Sequence, residues 1–203
     1  MHKVILDSKE IIPSKIICIG KNYVAHIEEL GSEIPSENIF FLKPNSAITD
    51  DVYFNTNDVV HYESEISFMI MNNELYGVGF GLDLTKRELQ NHLSNKGLPW
   101  ERCKAFDKSA VFSNFVQFEG ALTSLSLELS INGQKVQAGD YDLMINKPED
   151  VLTEVKSLFT LDDGDILMTG TPKGSTSYNI GDEFVGKIIS DNRTLIEKSW
   201  TVK

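Results

Sequence analysis

The chain has only two cysteines, Cys18 and Cys103, in 203 residues. They lie far apart and form no CxxC pair, which suits a reducing compartment and gives no disulfide framework. Positive charge is also scarce. The 19 Lys and Arg against 30 Asp and Glu leave a formal net charge of -11, which argues against broad binding to nucleic acid or to an anionic membrane, since both call for a basic face. An anionic substrate would have to be attracted by local groups. No apolar run approaches the length that spans a bilayer. The N-terminal MHKVILDSKEIIPSK lacks a long apolar core followed by a small-residue cleavage site, so a cytoplasmic protein is expected. Internal repeats, low-complexity tracts and charge blocks are missing too. What remains is an ordinary globular composition, 41% hydrophobic and 24% charged, long enough to bury a core as one domain over residues 1–203.

Strand signals dominate the pattern. They fall at Lys15 to Ile19, Asn38 to Leu42, Val59 to Met71, Leu75 to Leu82, Leu125 to Ile131, Asp165 to Thr169, Phe184 to Ile189 and Thr194 to Val202. Asn72-Asn73 and Asn132-Gly133 read as hairpin turns, because Asn and Gly tolerate the positive φ that such turns need. Helices are few. One is predicted to open at Thr85-Lys86-Arg87-Glu88, a capping-box pattern, and another near Pro148, with Glu149 and Asp150 in its first turn. A short one is expected from about Asn22 to Leu30. The implied class is α+β and rich in strand, with a few flanking helices.

The run His61-Tyr62-Glu63-Ser64-Glu65 carries the chemistry. In a continuous strand His61, Glu63 and Glu65 share one face. A Glu-x-Glu pair by itself is usually a solvated outer face. Here the surrounding strand is apolar, and the next strand ends in Asp83 just before a helix begins. Buried like charges repel unless something positive sits among them. Three carboxylates suit a hard divalent cation, Mg²⁺ or Mn²⁺ with Ca²⁺ compatible, and do not suit a structural zinc, which would want Cys or His ligands.

Other groups fit around such an ion. His26 and Glu29 are i, i+3 on a helix, so Glu29 can orient one ring nitrogen while the other activates water; spacing alone fits a surface pair equally well. Gly31 to Glu37 is a polar loop that reads as a lid or a plain connector. Gly170-Thr171-Pro172-Lys173-Gly174 offers backbone N–H groups and a hydroxyl for a carboxylate or oxyanion, and lacks the Walker spacing. Lys104 can neutralise a developing enolate or oxyanion. Gln90 can offer an amide and Lys43 a substrate-binding charge. His92 and His2 read as structural or exposed.

Taken in order, Gly-Lys-Asn-Tyr, His26, Glu29, Phe-Leu-Lys43-Pro, His61-Tyr-Glu63-Ser-Glu65, Asp83 to Gln90, Gly97-Leu-Pro-Trp, Lys104-Ala-Phe-Asp and Gly170-Thr171-Pro-Lys-Gly resemble the fumarylacetoacetate hydrolase family over nearly the whole chain. The resemblance is closest to short members that include acylpyruvate hydrolases. It implies a mixed β-roll or pseudo-barrel, a homodimer, and Mg²⁺ or Mn²⁺ held by Glu63, Glu65 and Asp83, with His26 and Glu29 as the water-activating pair. Longer members place an Asp shortly before the catalytic His, where this strand stays apolar through Ile19. Lys86-Arg87-Glu88 stands where many relatives have Ala-Arg-Asp. The expected reaction is carbon–carbon hydrolysis of a 3-acylpyruvate to pyruvate and a carboxylic acid, with Lys104 stabilising the pyruvate enolate and Gln90, Gly170 and Thr171 positioning the substrate. The alternatives are oxaloacetate decarboxylation, dienoate isomerisation, and a non-catalytic metal-binding protein on the same fold. In every case His61 is expected beside the carboxylates or along the pocket wall.

Overall fold

Asparagine turns set the register of the long strands. Asn72 and Asn73 take φ of 51° and 61°, and Asn132 and Gly133 take 50° and 78°, the left-handed conformations that close tight hairpins. A computed structural model describes Met1–Lys203. In chain order its strands begin with β1 (Val4–Leu6), β2 (Lys9–Ile11), β3 (Lys15–Gly20), β4 (Ile39–Pro44), β5 (Ile48–Thr49), β6 (Val60–His61), β7 (Ser64–Met71) and β8 (Glu74–Asp83). They continue with β9 (Thr85–Lys86), β10 (Ala110–Phe112), β11 (Val116–Gln117), β12 (Leu125–Ile131), β13 (Gln134–Asp140), β14 (Ile166–Met168), β15 (Glu183–Ser190) and β16 (Arg193–Thr201). The α-helices are α1 (Val24–Glu29), α2 (Arg87–Asn95), α3 (Glu101–Lys104) and α4 (Pro148–Leu158). None is long and apolar enough to cross a membrane.

The larger sheet runs β4-β3-β14-β7-β8-β10-β5, with β11 also on β8, and curls into a half-barrel. It is mixed, because β14 lies parallel to β3 and β10 parallel to β5 while the other pairs are antiparallel. A smaller antiparallel sheet, β13-β12-β15-β16, packs against it. The main core lies between them. Ile66, Phe68 and Ile70 of β7 and Val78, Phe80 and Leu82 of β8 meet Leu127, Phe184 and Trp200 of the smaller sheet. The opposite face of the larger sheet carries a second core that includes Ile16, Cys18, Met69, Phe115 and Met168. Strand alternation therefore sends every second residue of β7 and β8 to a different core.

The expected elements recur with their ends moved by a residue or two. Three differences bear on the site. The strand expected over Val59 to Met71 is two strands, broken at Tyr62 and Glu63. Tyr62 donates its N–H to Thr176 O at 3.1 Å and sets its ring edge-on to Phe184, so that segment leaves the sheet. The helix expected to open at Thr85 opens at Arg87, after the short strand β9. Thr85 is no cap: its hydroxyl donates to Asp83 O and accepts from Lys104. Finally, β13, a polar QKVQAGD segment without strand propensity, is ordered by pairing along the whole of β12.

Candidate active site

Strand parity delivers two carboxylates to one place. Glu65 shares its face of β7 with Ser67 and Met69, and Asp83 ends the face of β8 that carries Gly77, Gly79 and Gly81. Those glycines are required by packing. A Cβ on Gly79 would lie 2.7 Å from the Phe115 ring, and one on Gly81, the register partner of Glu65, 2.3 Å from Ser67 Oγ. Glu63 joins from the break before β7, where its carbonyl accepts the Asp83 N–H at 2.8 Å. One carboxylate oxygen from each of Glu63, Glu65 and Asp83 can be chosen so that all three lie within 4.8 Å of one another. Such oxygens fit around one divalent cation, whose bonds to oxygen are about 2.0–2.6 Å.

Three buried cations crowd the same carboxylates. Lys104 Nζ reaches Glu63 Oε2 and Asp83 Oδ2, both at 2.6 Å, and Thr85 Oγ1 at 2.7 Å. Arg87 Nη2 donates to Glu63 Oε1, and Arg87 Nη1 to Gln90 Oε1 at 2.5 Å. Lys43 Nζ lies 2.8 Å from Asp83 Oδ1 as an ion pair without an aligned hydrogen bond, which leaves that oxygen without a donor. Burial alone would raise the Glu63 carboxyl, but Lys104 and then Arg87 outweigh it and hold the group well below the usual range. Burial opposes the charge on Lys104, which Asp83 and Glu63 nevertheless hold above its ordinary value. Glu65 differs. Its one hydrogen bond is from Gly170 N–H at 2.7 Å and no cation pairs with it. Burial, then Asp83 and Glu63, push its carboxyl well up. A starved carboxylate and a donorless oxygen in an all-oxygen set are what a hard divalent cation would satisfy, so the residues present fit one.

The imidazole comes from the other side. His26 is buried on α1, and its Nδ1 lies 3.1 Å from Glu29 Oε2. With Glu29 accepting the Nδ1 proton, the Nε2 lone pair faces the carboxylates, 4.0 Å from Glu63 Oε1. The Gly170 to Gly174 loop holds carboxylates as expected, but they are the protein's own. Gly170 N–H takes Glu65, and Gly174 N–H takes Glu29 at 3.0 and 3.1 Å. Gly170 has φ of 90° and packs so closely on Asn22 that a Cβ would lie 2.8 Å from it. These groups open onto a cavity of about 290 Å³ whose lining includes His26, Glu63, Glu65, Asp83, Gln90, Lys104, Gly170 and Thr171, and whose only hydrophobic walls are Ile19, Leu30, Phe41 and Trp100.

Most of the expected site residues thus meet at one cavity. Lys43 does not. It is fully buried behind Asp83 and spends its ammonium on Ser109, the Lys104 carbonyl and Asp83, so no donor is left for a substrate. His61 does not line the cavity either: β6 pairs with β9 instead of continuing into β7, so the shared face is lost, and His61 stays outside it within electrostatic reach of Arg87 and Glu63. Lys104 reaches the site with all three N–H donors spent. His92 and His2 are exposed, as expected. Residue spacing points to neither Arg87 nor Gln137. Arg87 places a cation in the first turn of α2, the end that the helix dipole disfavours, which was a usable signal. Gln137 sits in the strand that propensity could not find. It accepts the Ser64 N–H and donates to Thr171 Oγ1, tying β7 to the glycine loop.

Fold and cavity together define a strand-rich protein with a polar pocket built around three buried carboxylates. Residues 15–198 match the family described as fumarylacetoacetate (FAA) hydrolase C-terminal, and the chain belongs to that family. Over 188 residues it is 36% identical to oxaloacetate tautomerase YcgM of Escherichia coli (strain K12), covering 84% of this chain and 86% of that one. Identity to the mitochondrial oxaloacetate decarboxylase of Dictyostelium discoideum is 32% over 179 residues, with 79% and 82% covered. Among solved structures, fumarylpyruvate hydrolase from Pseudomonas aeruginosa in complex with Mn²⁺ and pyruvate superposes with a TM-score of 0.87 at 28% identity, covering 99% and 95% of the two chains.

Proposed function

We propose that the chain is a divalent-cation-dependent enzyme acting on a small 2-oxo dicarboxylic acid, with keto–enol tautomerisation of oxaloacetate as its reaction. The observation that carries this reading is the cavity: about 290 Å³, floored by three carboxylates among buried cations and polar on most of its wall, it suits a short dianion held through a bound cation better than a bulky apolar acyl group. Glu63, Glu65 and Asp83 would hold the cation, which supplies a Lewis acid for negative charge on the 2-oxo oxygen.

The chain's own residues supply the rest. His26 Nε2 takes the proton from C3 and hands it to the 2-oxo oxygen, or the reverse, with Glu29 fixing the tautomer through Nδ1. Glu29 is itself held by Gly174 N–H, which limits its freedom to turn away. Lys21 lines the cavity and makes no hydrogen bond or ion pair, so it is the free cation left for the distal carboxylate. Gln90 keeps its amide N–H₂ for the substrate while its carbonyl takes Arg87. Thr171, fixed by Gln137, also lines the cavity.

A second reading, hydrolysis of a 3-acylpyruvate such as fumarylpyruvate, is favoured by the same His26–Glu29 pair, which could equally deprotonate a water. Assay of the purified protein with enol-oxaloacetate, acetylpyruvate and fumarylpyruvate, each with Mg²⁺ and with chelator, separates the two. Tautomerisation without carbon–carbon cleavage is expected. Release of pyruvate from the acylpyruvates at comparable rates would replace this reading with hydrolysis, and release of CO₂ from oxaloacetate would make the enzyme a decarboxylase.

A further inference from the structure

The cavity floor is already neutral before any ion arrives. Three carboxylates, Glu63, Glu65 and Asp83, face three cations, Lys43, Lys104 and Arg87, all of them buried. Each oxygen of Glu63 and Asp83 has a cationic partner: Arg87 and Lys104 on Glu63, Lys43 and Lys104 on Asp83. Lys104 bridges the two ligands, 2.6 Å from each, between oxygens that a divalent cation would need to reach. Placing two positive charges on a neutral, buried floor is costly unless negative charge enters with them or a resident cation gives way.

We infer that Lys104 is the internal counter-cation of this site, so that a divalent cation alone binds weakly and binds tightly only together with a dianionic ligand, which restores neutrality and gives the displaced ammonium a new partner. The inference rests on the metal-dependent reading above and adds to it a thermodynamic coupling. Cation and dianion must then strengthen each other's binding by the same factor. Lys43 and Arg87 cannot take this part, because each touches only one of the two bridged carboxylates.

The test measures Mn²⁺ binding to the whole protein by calorimetry, with no turnover involved. Oxalate serves as the dianion and oxamate as a monoanionic chelator of the same shape, each corrected for its affinity for free Mn²⁺. Oxalate is expected to tighten Mn²⁺ about tenfold or more beyond oxamate. In Lys104→Gln, Mn²⁺ alone should bind about fivefold or more tighter than in the native protein and the oxalate gain should shrink, while Lys104→Arg keeps the native pattern. Equal gains from oxalate and oxamate in the native protein would overturn the inference even if Lys104→Gln fails to fold. Weaker binding of Mn²⁺ alone to a folded Lys104→Gln would do the same. If Mn²⁺ binds but is indifferent to oxalate, the coupling fails and the metal site stands. Absence of Mn²⁺ binding under every condition overturns both.

Discussion

The two ends of β14 hold buried carboxylates of opposite character. Asp165, just before the strand, accepts from Ser14 N–H and Oγ, Lys15 N–H and Nζ, and Asp162 N–H. Glu65, beside Gly170 just past the other end, accepts one backbone N–H and pairs with no cation. Burial alone would raise the Asp165 carboxyl, but Lys15 and the surrounding N–H and O–H donors win and lower it, whereas burial and neighbouring acids raise Glu65. Asp165 is a joint of the fold, because its charge is fully compensated by groups that are always present. Glu65 is left wanting, and a group kept in that state inside a cavity is available to bind something else.

The largest expected effect separates these two roles. Glu65→Gln should cut metal-dependent turnover at least about a thousandfold, about 4 kcal/mol of transition-state stabilisation. The Tm of the metal-free protein at neutral pH should stay level or rise, because the raised carboxyl makes the ionised native state the costly one once pH exceeds the unfolded value. Steady-state kinetics and calorimetry on the same preparation check both halves. His26→Gln should lower kcat by about a hundredfold to ten-thousandfold with Mn²⁺ affinity unchanged, measured as rate and binding isotherm side by side.

Asp165→Asn is the mirror image of Glu65→Gln. It should cost about 3 kcal/mol of stability by denaturant unfolding, since it breaks a mostly buried ion pair, and leave kcat near native wherever the protein is folded. The sign of its pH dependence follows from the lowered carboxyl: its stabilisation is full above the ordinary carboxylate value near about 4 and is lost as pH falls through the native value. Asn in its place should flatten that acid limb. Lys21→Met is the smallest change, an increase of about tenfold in KM for oxaloacetate with kcat little altered. An equal increase in Ki for acetylpyruvate, used as a competitive inhibitor that lacks the distal carboxylate, would remove Lys21 from substrate recognition.

Much of this was legible in the sequence where local chemistry and strand parity agree. The Asn turns, the alternation of β7 and β8, and the meeting of Glu65 with the end of β8 at Asp83 follow from period two and turn residues, whereas Glu63 joins them from the break before β7. The parts that were not legible depend on tertiary pairing. Tyr62 leaves the sheet because its N–H finds Thr176 and its ring finds Phe184, so His61 loses the face it seemed to share. Lys43 looked like a free charge at a strand end, and only the folded β4 shows it sealed behind Asp83. Thr85 looked like a helix cap until Lys104 took its hydroxyl. Gln137 lies in a polar strand that exists because β12 is beside it.

The claim on which the rest depends is that the uncompensated carboxylate belongs to a bound cation, and counting Mn²⁺ at equilibrium in the presence of oxalate tests it most directly. The native protein and Asp165→Asn should each bind one equivalent per chain, while folded Glu65→Gln should bind none at the same concentrations. Full Mn²⁺ occupancy in Glu65→Gln, with native affinity, would contradict the account.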